Sequence, residues 1–284
     1  MGDNHDDEEE ETVEELVSTL PKERSWNGIG ELALYQGAWL RSLEIKRVVT
    51  FQNKFIASDN DIVLTTFPKS GTNWTAALLY SIVNRGRFPD LRASPLQYTS
   101  PLTLVPILDV NFFYDRERLM STPPPRIFAT HLRYASLPGS IKSSACKMVY
   151  VWRNPMDVFV SFWHFQQHMK SPRDNVRQQP VEEEKCLPMD QCFELFCKGI
   201  VNYGPYWDHV LEFWRASLES PTKILFLKYE DMMEDATSCV KKLAHFLGCP
   251  FSAEEEEQGA AVDHIVNFCS FQNLKNLEAN KNGT

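Results

Sequence analysis

Apolar positions along the chain fall into two kinds of run that alternate. Asp61-Ile-Val-Leu-Thr-Thr-Phe67 is a short β-rich stretch stopped by Pro68, and it reads as a buried strand. From Asn73 to Asn84 the apolar residues Trp74, Ala77, Leu78 and Ile82 recur at helical spacing. The same alternation continues downstream. Strands are predicted at Arg126–Thr130, Lys147–Trp152 and Lys223–Lys228, and helices from Pro155 to His168, over Tyr206–Ala216, and near 234–247 and 253–268. A short amphipathic helix is predicted from Thr12 to Leu20, ended by Pro21. The Pro-rich stretch from Ser94 to Pro125 reads as loop and short helices, and Lys170–Pro188, mixing charge, Gln and Pro, as a mobile surface loop. No internal repeat is visible. Strands alternating with helices predict an α/β fold: a three-layer sandwich with a central parallel sheet and helices on both faces.

Composition narrows the class. The 284 residues are 43% hydrophobic and 24% charged, as expected of a globular protein with a sizeable core. The formal charge of −9 is localised: Met1–Leu16 holds nine acidic residues and no Lys or Arg, and the rest carries 29 charges of each sign. An acidic, disordered tail over 1–16 and a single domain over 17–284 are therefore expected. A neutral body argues against a duplex nucleic-acid binder. No run approaches the roughly 18–20 apolar residues of a membrane span, and the N-terminus lacks a secretory pattern. Seven scattered cysteines, with no Cys-x-x-Cys, predict reduced thiols in a cytosolic protein. No metal cluster stands out.

The chemistry concentrates in Phe67-Pro-Lys-Ser-Gly-Thr-Asn-Trp74, between a strand and a helix. Gly71 allows a tight turn and close backbone approach, and the following N–H groups leave a helix N-terminus that favours an anion. Lys69 adds a full charge, and Ser70 and Thr72 add hydroxyls. Here Lys precedes Gly, unlike the Walker pattern, which argues against a nucleotide kinase. Arg153, again between a strand and a helix, and Ser161 eight residues later suggest a second anion site on the same sheet edge. Thr130-His131 follows a strand at that edge, where a neutral imidazole can take a proton from a hydroxyl. Phe112, Phe113, Tyr114, Tyr134, Trp163 and Phe165 are candidates for an apolar pocket or for core.

At these residues the chain resembles the cytosolic sulfotransferases, most closely their plant branch. Pro68-Lys69-Ser70-Gly71-Thr72-Asn73-Trp74 matches the family loop, with Asn73 in place of a second Thr. Thr130-His131, Arg153-Asn-Pro-Met-Asp157 with Ser161, and Leu227-Lys-Tyr-Glu-Asp231 match further elements. Leu20-Pro-Lys-Glu, Tyr35-Gln-Gly, Glu254–Glu257, Cys269-Ser-Phe and Leu277-Glu-Ala-Asn280 are plant-type features. The resemblance implies sulfuryl transfer from 3′-phosphoadenosine 5′-phosphosulfate (PAPS), without a metal, to a small hydroxylated acceptor such as a phenol, flavonoid, steroid or desulfoglucosinolate. By resemblance His131 is the general base and Lys69 is catalytic. Lys69, Ser70, Gly71, Thr72, Asn73 and Trp74 hold the phosphosulfate and adenine, Arg153 and Ser161 the 3′-phosphate, and Tyr229 reaches the adenine. Asn, a good helix N-cap with a donor amide, is expected to weaken the loop rather than abolish it. Family members continue to an Arg-Lys-Gly element that this chain, ending at Thr284, does not contain. The alternative expectation is therefore a weak or inactive PAPS-binding or PAP-binding member (PAP is the desulfonated nucleotide).

Overall fold

The computed structural model describes residues 12–168, 186–257 and 260–277. Seven strands are described: β1 (Lys22–Arg24), β2 (Glu31–Tyr35), β3 (Ala38–Leu40), β4 (Ile62–Thr66), β5 (Ile127–Thr130), β6 (Lys147–Trp152) and β7 (Ile224–Lys228). The last four form a parallel sheet in the order β5-β4-β6-β7. Leu64 pairs with Ala129 on one side and Val149 on the other, so β4 lies inside the sheet.

Successive residues of a strand face opposite sides, and here the two sides meet two separate cores. Val63, Phe128, Met148, Tyr150 and Ile224 pack against the helices Ser42–Lys54, Pro155–His168 and Tyr206–Glu219. Ile62, Leu64, Ile127, Ala129, Val149, Val151 and Leu227 pack against Thr72–Asn84, Ala236–Phe246 and Ala260–Phe268. A sheet covered on both faces needs near-continuous apolar strands, which is what the sequence supplies. The predicted three layers are present. At the N-terminal edge, Arg126 grips Asp61 with two hydrogen bonds of 2.7 Å in a buried ion pair, fixing β4 and β5 in register at their starts.

Three differences from the sequence expectations stand out. β1, β2 and β3 form an antiparallel sheet that the apolar pattern did not announce, because its strands are three to five residues long. The helix Ser42–Lys54 was likewise not anticipated. The expected tail boundary at residue 16 moves toward the N-terminus: residues 12–19 are helical, Val13 and Val17 are buried in the core, and Glu14 bonds Lys46 at 2.8 Å. The acidic run through Glu11 and most of the expected loop 170–188 lie outside the described residues.

Candidate active site

All four parallel strands deliver a candidate residue at their C-terminal ends. β4 runs into the loop 67–71, β5 into His131, β6 into Arg153 and β7 into Tyr229. Because the strands are parallel, these ends share one edge, where open α/β sheets bind ligands. A cavity of about 630 Å³ lies there. Nine of the ten candidate residues line it: Lys69, Gly71, Thr72, Asn73, Trp74, His131, Arg153, Ser161 and Tyr229. Ser70 does not; it is fully buried behind the loop, and its Oγ has no hydrogen-bond partner.

The loop is shaped by backbone sign. Lys69 and Gly71 both have positive φ, 71° and 97°. For Lys69 that conformation is uncommon and costs energy, a pattern that gathers at ligand sites. Gly71 has a second reason to be glycine, since a Cβ there would sit 2.6 Å from the Tyr229 ring. The helix begins at Thr72 with Gly71 as its cap, so Asn73 is not the N-cap that the sequence suggested. It is exposed in the first turn and faces the cavity. Tyr229 meets Trp74 edge-on at 5.6 Å, and together they make an aromatic wall.

Two cations stand together at this end. The Arg153 guanidinium donates to the Lys69 carbonyl at 3.2 Å and lies 4.8 Å from the Tyr229 ring centroid. Its contact with Asp157 is long, 3.8 Å. The Lys69 amine lies 4.5 Å from the Phe165 ring centroid and has no carboxylate partner among the described residues. Burial lowers the Lys69 pKa, and the neighbouring Arg153 charge lowers it further. Like charges held together are unfavourable until an anion joins them. The unpartnered Ser70 Oγ and Arg153 Nε add two buried polar atoms beside the loop. The residues present thus fit a ligand carrying phosphate or sulfate groups.

His131 stands on the other side of β4. Its Nδ1 lies 2.8 Å from the Thr66 carbonyl, which can only accept, so Nδ1 carries the hydrogen. Nε2 is left with a lone pair. Burial lowers the His131 pKa, outweighing the hydrogen bond to Thr66, and the Lys69 charge lowers it further. Thr66 Oγ1 bonds Thr72 Oγ1 at 2.7 Å, joining the strand end that holds the His131 ring to the first residue of the helix after the loop.

Sequence reasoning missed several lining residues here. Tyr203, 5.6 Å from the His131 ring and in a left-handed conformation (φ 66°), is held by backbone bonds of 2.8 and 2.9 Å between Tyr203–Gly204 and Trp39 of β3. The unanticipated sheet therefore positions a wall of the cavity. Asn202 donates to buried Glu44 at 3.0 Å, and Glu44 also accepts from the Arg41 N–H at 2.8 Å. Burial raises the Glu44 pKa. Of the six aromatics considered for a pocket, only Phe165 lines this cavity. Phe112 is core, Tyr134 packs on Phe213, and Trp163 bonds the Leu187 carbonyl.

A parallel sheet whose strand ends converge on a cationic phosphate loop defines an α/β enzyme acting on a phosphorylated ligand. Comparison with known proteins makes the class specific. Residues 59–284 match the sulfotransferase domain family. Cytosolic sulfotransferase 15 of Arabidopsis thaliana is 42% identical over 273 residues, covering 94% of this chain and 73% of its own. Among solved structures, an Arabidopsis thaliana sulphotransferase aligns with a TM-score of 0.76 at 38% identity, over 94% of this chain and 87% of that one. Mouse sulfotransferase SULT7A1 complexed with PAP aligns with a TM-score of 0.64 at 29% identity, over 86% and 76%. The chain belongs to the sulfotransferase family, and it is a PAPS-dependent sulfotransferase. Among the described residues, no helix is long and apolar enough to cross a membrane, and no cluster of three or more His, Cys, Asp or Glu could hold a metal ion.

Proposed function

We propose that the chain transfers a sulfuryl group from PAPS to the hydroxyl of a small acceptor in the cytosol, with His131 as general base. One observation carries this reading. A neutral imidazole, its Nδ1–H tied to Thr66, stands at the same sheet edge as two cations with no full counter-charge. His131 Nε2 takes the acceptor's proton as its oxygen bonds sulfur, and Lys69 stabilises the charge that develops on the departing phosphate oxygen. The loop N–H groups, Thr72 and Asn73 position the 5′ end, with Ser70 buried behind them. Arg153 and Ser161 hold the 3′-phosphate, while Trp74 and Tyr229 enclose the adenine. The described residues from Thr12 onward serve this one site as a single domain, with Val13 and Val17 in its core.

The test is labelled-sulfate transfer from PAPS to a panel of phenols, flavonoids, steroids and desulfoglucosinolates, with PAP titrated by calorimetry. PAP binding with turnover of a panel member supports the reading. PAP binding without turnover of any supports a weak or inactive nucleotide-binding member instead, and no PAP binding rejects both.

A further inference from the structure

A second histidine, itself held by a tyrosine, meets the His131 backbone, and neither lines the cavity. His209, on the helix Tyr206–Glu219, is fully buried. Its Nε2 lies 3.0 Å from the His131 carbonyl, which can only accept, so Nε2 carries the hydrogen. Nδ1 then has the lone pair, and the Tyr150 hydroxyl donates to it at 2.8 Å. Tyr150 belongs to β6, and its ring is stacked between Phe213 (4.3 Å) and Phe226 (5.2 Å).

We propose that His209, oriented by Tyr150, is a positioning residue for the general base: it clamps the backbone of His131 while Thr66 clamps the ring. The proposal rests on the reading of His131 as the base. It follows from what surrounds that residue. β5 ends at Thr130, so the sheet no longer holds the peptide that carries the base. The His131 carbonyl would otherwise lack a strand partner, and the imidazole N–H supplies one. The ring is fixed at Nδ1 and the backbone at the carbonyl, which leaves His131 little freedom to swing away from the acceptor. Burial lowers the His209 pKa to about 3, so near neutral pH Nδ1 keeps the lone pair that accepts from Tyr150, while Nε2–H faces the His131 carbonyl. A histidine suits the place because it must donate on one side and accept on the other, and the Tyr150 hydroxyl fixes which side does which. Catalytic groups displaced by about 1 Å can lose on the order of 10²-fold in rate, the scale expected if the clamp is released.

The experiment measures kcat, KM for PAPS and acceptor, and the PAP dissociation constant for the whole chain carrying His209→Leu, His209→Gln, Tyr150→Phe or His131→Ala. His209→Leu removes the donor, and kcat should fall about 10- to 100-fold with donor KM and PAP affinity within about twofold of wild type. His209→Gln, whose amide can still donate, should recover most of that loss. Tyr150→Phe keeps the ring stack and should lower kcat about 3- to 10-fold even if His209→Leu fails to fold. The inference is overturned if kcat of the folded variants stays within twofold of wild type, or if PAP affinity falls in step with kcat. His131→Ala separates the two claims. Near wild-type turnover in that variant removes the base itself, whereas an inactive His131→Ala beside unaffected His209 and Tyr150 variants removes only the clamp.

Discussion

The two ends of the cavity are built in different ways. The cationic end centres on one continuous stretch: Lys69 to Trp74 supply its loop, part of its aromatic wall and its helix N-terminus, and Arg153, Ser161, Phe165 and Tyr229 join it from elsewhere. The end around His131 is assembled from distant pieces. Tyr203 is placed by β3, Glu44 by an N-terminal helix, and His131 is locked by Thr66, 65 residues away. The difference teaches how binding and chemistry divide. A phosphate needs backbone N–H groups and charge, which one short loop can present. The general base that we propose, His131, needs a fixed tautomer, which only the assembled fold can impose.

That division predicts separable defects. His131→Ala should lower kcat by about 10²–10⁴-fold while PAP affinity stays nearly unchanged, as measured by labelled transfer and calorimetry. Lost PAP binding would erase the distinction between the ends. Arg153→Ala should do the converse. Losing hydrogen bonds to a charged group, about 1.5–3 kcal/mol, should weaken PAP by roughly 10- to 150-fold, with a smaller change in kcat. Gly71→Ala should act more mildly at the cationic end. Its left-handed backbone makes a Cβ cost about 1–2 kcal/mol, and the Cβ would press on Tyr229, so melting temperature and PAP affinity should both drop.

How much of this was legible follows from the same contrast. β4, β5, β6 and β7 were readable because a sheet buried on both faces leaves unbroken apolar runs, and the loop because its residues are neighbours in the chain. β1, β2 and β3 were not, since strands of three to five residues show too few alternations to register. Tyr203 and Asn202 gave no signal because their chemistry lies in what packs beside them. The aromatic residues were open to both readings in the sequence, and the structure divides them: Phe112 is core, Tyr134 packs half-buried on Phe213, and Phe165 lines the cavity. Asn73 has the chemistry of a helix cap but sits inside the first turn, because the left-handed Gly71 takes that role.

A separate effect concerns stability. The His209 pKa is about 3 in the folded chain and about 6.5 when unfolded. Between those values the unfolded chain binds more protons. The contribution of neutral His209 is thus complete above pH 6.5 and is lost as pH falls, by up to about 1.4 kcal/mol per unit. Denaturant melts from pH 7 to 4 should show this decline, and His209→Gln should flatten part of it.

The most direct test of His131 as a neutral, Thr66-locked base is the pH dependence of kcat/KM, which reports the groups of the free enzyme. Wild type should hold a plateau through neutral pH and lose activity on an acid limb centred below pH 6.5, where the buried imidazole becomes protonated. The residual activity of His131→Ala should lack that limb. An acid limb centred above 6.5, or one that persists unchanged in His131→Ala, would contradict the assignment.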